Sequence, residues 1–183
     1  MVALDPVAAF YEVRNMEYAL DGAHDERSLR RLRRGDCLAK SELLAQLLSE
    51  CGLRTRLVRW RYQQLPAVVP EIAMLPARID LHRAVQVRRS SGDWIVVDPT
   101  HDVGLRAGGL AVGEWDGLAS TVPAYEMDGP VLVEGEHDTE IAAMLREIKD
   151  WTIRCDPAAL TAWRESYICW LRRTRQAEFP AEA

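Results

Sequence analysis

Three residues of different types follow one another in an order that could carry nucleophilic chemistry: Cys37 in "RRGDCLAKSELLAQLLSECGL", His82 in "LHRAVQV" and Asp98 in "WIVVDPT". A thiol attacks only as thiolate, and at an ordinary pKa of about 8.5 only a few per cent is ionised at neutral pH. Two devices raise that fraction: the positive end of a helix, and an imidazole that takes the proton. The Gly35-Asp36 turn hands the chain to a helix that starts on Cys37, which supplies the first device. The second needs a histidine on a neighbouring strand with a carboxylate behind it to hold the tautomer. His82 follows Cys37 by 45 residues and Asp98 follows His82 by 16.

The elements that must position these residues can be read from periodicity. Asp5-Pro6 has the form of an N-cap followed by proline at the first helical position, opening a helix through about Asn15 with Val7, Phe10 and Val13 inward. Arg27 to Arg34 reads as a short basic helix or turn. From about Asp36 to Cys51, Leu43, Leu44, Leu47, Leu48 and Cys51 recur at three- and four-residue steps, with Gly52 closing the helix. "LRTRLVRWRY" predicts a strand with Val58, Trp60 and Tyr62 on one face. A proline-bearing loop (Pro66, Pro70, Pro76) leads to two paired strands, His82 to Arg88 and Trp94 to Asp98. Residues 103–135 are glycine-punctuated, with one strand at Val131-Leu132-Val133. Helices at about Thr139 to Arg154 and Ala158 to Arg175 end the chain. Helix, then strands, then helices implies an α+β class, with the cysteine-bearing helix packed on an antiparallel sheet and two C-terminal helices added.

Strand geometry constrains the pairing. Directly opposed residues of an antiparallel pair share a face. A four-residue loop, Ser90 to Asp93, would put Val85 opposite Asp98 and turn His82 to the other face. His82 and Asp98 can meet only if the ladder shifts by one, with Arg88 opposite Trp94, Gln86 opposite Val96 and Ala84 opposite Asp98.

Taken together, "RRGDCLAKSELLAQLLSECGLRTRLV", "LHRAVQV" and "WIVVDPTHD" resemble the transglutaminase-like superfamily, whose core is the papain-like fold. The family's Gly-x-Cys helix start falls on Gly35-Asp36-Cys37, its strand-borne histidine on His82, and its Trp-x-x-x-Asp-Pro-Thr strand on Trp94 and Asp98-Pro99-Thr100. Tyr18 in "NMEY" stands where such proteins often carry a tyrosine before the cysteine helix. The resemblance spans about Val7 to Asp102. It implies Cys37 as nucleophile, His82 as general base and then acid, and Asp98 as the orienting carboxylate of a thioester-forming acyl transfer or hydrolysis. Ala84 and Gln86 depart from the aromatic and acidic residues many relatives have after the histidine, and no motif identifies a second oxyanion donor beside the Cys37 N–H. The rival assignments are a structural thiol at Cys37, a core histidine at His82 and a turn-former at Asp98.

Composition narrows the function classes. With 183 residues, 48% hydrophobic and 28% charged, the sequence reads as one domain over 1–183, a core at about 7–102 with 103–183 as its extension. A net charge of −5 argues against nucleic-acid binding. No apolar run suits a membrane span and no secretory signal is evident, which predicts a cytoplasmic protein with four free thiols. Cysteine spacings of 14, 104 and 14 contain no C-x-x-C pair. Asp98, His101 and Asp102 invite a metal reading, but neighbours on one loop seldom converge on an ion, so neither metal nor cofactor is expected. The expected partner is a peptide or small amide substrate, with no nucleic acid and no membrane. The Trp163, Tyr167, Trp170 and Leu171 stripe is read as packing, its alternative being a homodimer face. Arginine outnumbers lysine 21 to 2, while residues 107–145 hold acidic side chains and no lysine or arginine, a pattern expected of a solvated face. Two further functions stand beside the leading one: a non-catalytic binding module that keeps the fold, and an arylamine N-acetyltransferase-like acyltransferase, which shares the triad but is a distinctly longer protein.

Overall fold

A computed structural model describes residues 5–64, 75 and 79–178. The expected loop around Pro66, Pro70 and Pro76 lies outside the described residues. The class is α+β, with five α-helices, one 3-10 helix and a small antiparallel sheet among the described residues.

Helix α1 (Pro6–Arg14) starts where Asp5 accepts the Val7 N–H at 3.1 Å, and it buries Phe10 and Val13. Strand β1 (Glu17–Ala23) was not anticipated. It pairs in parallel with the two-residue β2 (Arg34–Gly35), around the short helix α2 (Glu26–Leu32). Helix α3 (Cys37–Glu50) follows, capped by the Asp36 carboxylate on the Ala39 N–H at 3.0 Å. It ends at Gly52, whose φ of 82° is a left-handed conformation suited to glycine.

The four-stranded sheet has the order β5 (Trp94–Val97), β4 (Ile79–Arg88), β3 (Thr55–Gln63), β6 (Leu132–Val133). One face presents Leu57, Val85, Val87, Ile95 and Val97 to Leu43, Leu44, Leu47 and Leu48 of α3. Burying each such side chain contributes about 1.5–3 kcal/mol, so the apolar stripe is what docks α3 on the sheet. Helix α4 (Asp138–Arg154) covers Leu81 and Leu132 with Ile141, Met144 and Ile148. The opposite face carries Val58, Trp60, Tyr62 and Ala84 and is covered by Tyr125 and its neighbours in an irregular segment. Backbone bonds hold that segment alongside the sheet: Thr121 N–H to the Val96 carbonyl at 2.9 Å, Asp128 N–H to the Arg61 carbonyl at 2.8 Å.

Helix α5 (Pro157–Glu178) buries Trp163, Tyr167 and Leu171 with Tyr18, Leu105 and Trp151. The aromatic stripe is therefore internal packing. The acidic run is not simply a solvated face either: Glu134 accepts from Arg59 at 2.6 Å and Arg83 at 2.8 Å, and Asp128 pairs with Arg61 at 3.2 Å. Part of the arginine excess is spent on pairing strand β3 and β4 with this segment.

Gly35 shows why the approach to Cys37 is built from glycine. A Cβ added there would lie 2.7 Å from the Ala23 carbonyl oxygen and 3.1 Å from Leu29. Backbone cannot rotate away as a flexible side chain can. Gly35→Ala is expected to cost about 1–3 kcal/mol, the range for overpacking a close contact, read as a lowered urea midpoint. An unchanged midpoint would show that β1 yields freely at this point.

Candidate active site

Cys37 occupies the first position of α3, where N–H groups have no helical partner and the peptide dipoles present positive charge. Two polar contacts fix the helix beyond its apolar stripe. The Ser41 hydroxyl donates to the Arg83 carbonyl of β4 at 2.8 Å. Lys40, fully buried, donates to the carbonyls of Arg14 at 3.0 Å, Met16 at 2.8 Å and Thr100 at 2.7 Å. Burial pulls its pKa down to about 7, against the nearby charges of Asp102 and Asp98. Three carbonyl acceptors call for all three protons of the ammonium form.

The strand pair has the shifted register: Arg88 stands opposite Trp94, Gln86 opposite Val96 and Val85 opposite Val97. Arg89 N–H bonds to the Asp93 carbonyl at 2.8 Å, closing the five-residue connection that produces the shift. One residue past the ladder, the Asp98 carboxylate meets His82, Nε2 to Oδ2 at 2.8 Å. Both side chains are buried. Asp98 also accepts the Ala124 N–H at 2.8 Å and the Thr100 N–H at 3.1 Å. Ala84, fully buried beside them, leaves room for the pair, and Gln86 accepts Arg56 Nε at 2.8 Å.

The His82 ring is walled by Trp60, Tyr125 and Tyr62, with ring centroids at 4.6, 5.0 and 6.2 Å. Burial alone would disfavour the imidazolium. The Asp98 charge and hydrogen bond, reinforced by Cys37, outweigh burial and push the His82 pKa up to about 10. Asp98 is held down to about 2, burial being opposed by the His82 charge and by its hydrogen bonds. With Nε2 given to Asp98, Nδ1 is the nitrogen left for a proton from elsewhere. It is buried and makes no formed hydrogen bond. Cys37 lies near enough to the ring to add to that rise in pKa.

Cys37 is half-buried and lines a cavity of about 210 Å³ with Tyr18, Tyr62, Asp80, Leu81 and Trp163. Tyr62 pairs with Asp80 near the end of the β3–β4 ladder. The cavity thus sits where the sheet stops, which is how a helix packed on one face can bring its first residue toward a histidine on the other.

Tyr18, His101 and Asp102 stand out in the sequence, but the partners they meet carry no signal there. The Tyr18 hydroxyl is 2.9 Å from that of Tyr125, which is 3.4 Å from that of Tyr167, with all three side chains buried. Asp102 is taken up by Arg175, closest at 2.6 Å, and by the Tyr18 N–H at 2.8 Å. His101 is bonded through Nδ1 to the Ala111 carbonyl at 2.9 Å, and burial lowers its pKa to about 4. A lone lysine in a leucine helix, or tyrosines far apart in sequence, has no period that would mark it.

No family model matches the sequence, and no curated protein matches it. Among solved structures, a protein of Cytophaga hutchinsonii provisionally named a cysteine protease is similar at 20% identity with a TM-score of 0.39. The match covers 70% of this chain and 43% of that one, so this chain corresponds to less than half of that protein.

The charge arrangement has a measurable consequence. A raised histidine pKa contributes stability that is full below the ordinary value of 6.5 and fades as pH rises through about 10. A lowered carboxylate pKa contributes stability that is full above 3.8 and fades as pH falls through about 2. The pair is therefore at full strength between the two ordinary values. Histidine ring NMR at pH 8 should find His82 still protonated, and at pH 5.5 should find His101 still neutral. A His82 transition at or below 6.5 would contradict this electrostatic picture. Lys40→Met, which leaves three buried carbonyls without their donor, is expected to cost on the order of 3–5 kcal/mol in chemical denaturation. A cost below about 1 kcal/mol would mean water reaches those carbonyls.

Proposed function

We propose that this chain is a transglutaminase-like cysteine hydrolase or acyltransferase of papain-like fold, breaking an amide, peptide or ester bond through a thioester on Cys37. The observation that carries the reading is the buried 2.8 Å His82–Asp98 hydrogen bond, with the other ring nitrogen unpartnered and a helix-start cysteine lining the adjoining cavity. The three motifs, in order, support it as well.

In this reading Asp98 holds the Nε2 proton and so presents Nδ1 to the thiol. The Cys37 proton rests on Nδ1, so that His82 is the imidazolium, and the thiolate adds to the substrate carbonyl carbon. The C–N bond breaks as His82 returns the proton to the departing amine, leaving a thioester. Water then attacks, its proton passing to His82, and the acid and free thiol are released. An amine in place of water would form a new amide. Hydrolysis is the favoured outcome, since Cys37 is only partly buried and so within reach of water. The cavity of about 210 Å³ is below the roughly 300–1,000 Å³ of drug-sized pockets. It suits a small amide or one side chain of a peptide.

Exposure and activation point to different cysteines, which makes labelling informative. Cys169 is the exposed thiol, whereas Cys37 and Cys51 are intermediate and Cys155 is buried. Iodoacetamide at about pH 6 should nevertheless modify Cys37 first. Labelling that simply follows exposure, Cys169 foremost, would count against an activated Cys37.

Peptide amides and small amides, with and without added amine, would be screened for ammonia release and acyl transfer, comparing wild type with Cys37→Ala. Asp98→Asn should fold and lose activity on the order of 10²- to 10⁴-fold. Turnover that survives Cys37→Ala, or full activity in both Asp98→Asn and Asp98→Ala, would refute these assignments.

A further inference from the structure

A thioester mechanism needs a second hydrogen-bond donor for the oxyanion besides the Cys37 N–H, and the sequence motifs do not name one. We infer that the Tyr18 hydroxyl is that donor, oriented by a chain of hydroxyls from Tyr125 and Tyr167. The inference rests on Cys37 being the nucleophile.

The geometry of the chain carries it. Tyr18 lines the same cavity as Cys37, and its phenol is close enough to feel the charge of a Cys37 thiolate. Its hydroxyl has one protein partner among the described residues, the Tyr125 hydroxyl at 2.9 Å. The Tyr125 hydroxyl has two, Tyr18 and Tyr167 at 3.4 Å. Each hydroxyl has a single proton to give. If Tyr167 donates to Tyr125 and Tyr125 to Tyr18, the Tyr18 proton is left without an acceptor among the described residues. Negative charge developing in the cavity selects this order, because all three O–H dipoles then point toward the anion and reinforce one another. Burial holds both Tyr18 and Tyr125 well above the ordinary tyrosine pKa, so they act as donors and not as bases.

Tyr18 is also held firmly by its backbone. Its N–H donates to Asp102 at 2.8 Å and its carbonyl accepts Arg175 Nη2 at 2.6 Å. The side chain therefore does not depend on the substrate for its position. As the Cys37 sulfur bonds to the carbonyl carbon, the C=O π pair moves to oxygen, and that O⁻ accepts from Tyr18 O–H and Cys37 N–H. When the pair returns, the bond to the leaving group breaks and both donors are released unchanged.

Two probes separate this role from thiol activation. Acylation by 4-nitrophenyl acetate passes through an oxyanion, whereas alkylation by iodoacetamide displaces iodide and forms none. In Tyr18→Phe, the acylation burst rate should fall on the order of 10²- to 10³-fold, the range for loss of one oxyanion donor. Alkylation of Cys37 should stay within about 2-fold of wild type, a ratio smaller than any donor effect. Tyr125→Phe, which loosens the chain without removing the donor, should lower kcat by about 10-fold or less with KM little changed. If Tyr18→Phe acylates as fast as wild type, or loses alkylation in equal proportion, Tyr18 is not an oxyanion donor. If Tyr18→Phe does not fold, the Tyr125→Phe burst decides, and an undiminished burst overturns the chain. Wild type that alkylates rapidly at Cys37 but does not acylate also overturns it. Wild type that does neither points instead to failure of the nucleophile assignment.

Discussion

A buried carboxylate is costly unless its oxygens are occupied, and the fold around Asp98 is organised by that requirement. His82 satisfies one oxygen from strand β4, Ala124 N–H adds to the same oxygen from the irregular segment, and Thr100 N–H satisfies the other from the loop beyond β5. Removing His82 would strand the carboxylate's charge in a low-dielectric interior. The irregular segment, with little regular structure of its own, is held where it is partly because Asp98 needs its N–H and Trp60 needs the Tyr125 carbonyl, at 3.1 Å.

The second buried charge is tied to the first through a single residue. Thr100 gives its N–H to Asp98 and its carbonyl to Lys40, so the histidine–carboxylate pair and the cysteine helix share one piece of backbone. Two residues on, Asp102 binds Arg175 of α5 and the Tyr18 N–H of β1. The run Asp98 to Asp102 thus anchors the sheet, α3, β1 and α5 at once. Lys40 and Asp98 hold the helix that bears Cys37 and the strand that bears His82 in one frame, and neither lines the cavity at Cys37. The His82–Asp98 pair trades stability for position, since two apolar groups replacing both charges together would often be as stable or more so.

The proposed acyl-transfer chemistry draws on residues from both ends of the chain. Cys37, His82 and Asp98 lie in the first 102 positions, while Ala124, Tyr125 and Tyr167 belong to the later portion, which resembled no family motif. The later portion closes one wall of the His82 environment and completes the Asp98 hydrogen bonds, so its packing and the site's electrostatics are one problem. In the proposed mechanism, His82 Nδ1, which makes no hydrogen bond among the described residues, would close on Cys37 as substrate binds.

What the sequence determined by itself was local or periodic. Asp36 before an apolar 3.6-residue stripe specifies where α3 begins and which side it buries, and alternation in "LRTRLVRWRY" places Val58, Trp60 and Tyr62 on one face. Even the shifted register was legible, because a one-residue slip flips every side chain and only one parity lets His82 and Asp98 meet. Strand β1 was not legible, since its partner β2 is two residues long and a parallel pair of that length has no hydrophobic period. Tertiary structure alone decided that Lys40 is buried on three carbonyls, that Tyr18 meets Tyr125 across 107 positions, and that Ala124 completes Asp98. Each of these depends on a single polar atom finding a partner far along the chain. A partner of that kind is chosen by where the packed elements leave an unsatisfied donor or acceptor, and nothing in the neighbouring residues encodes it.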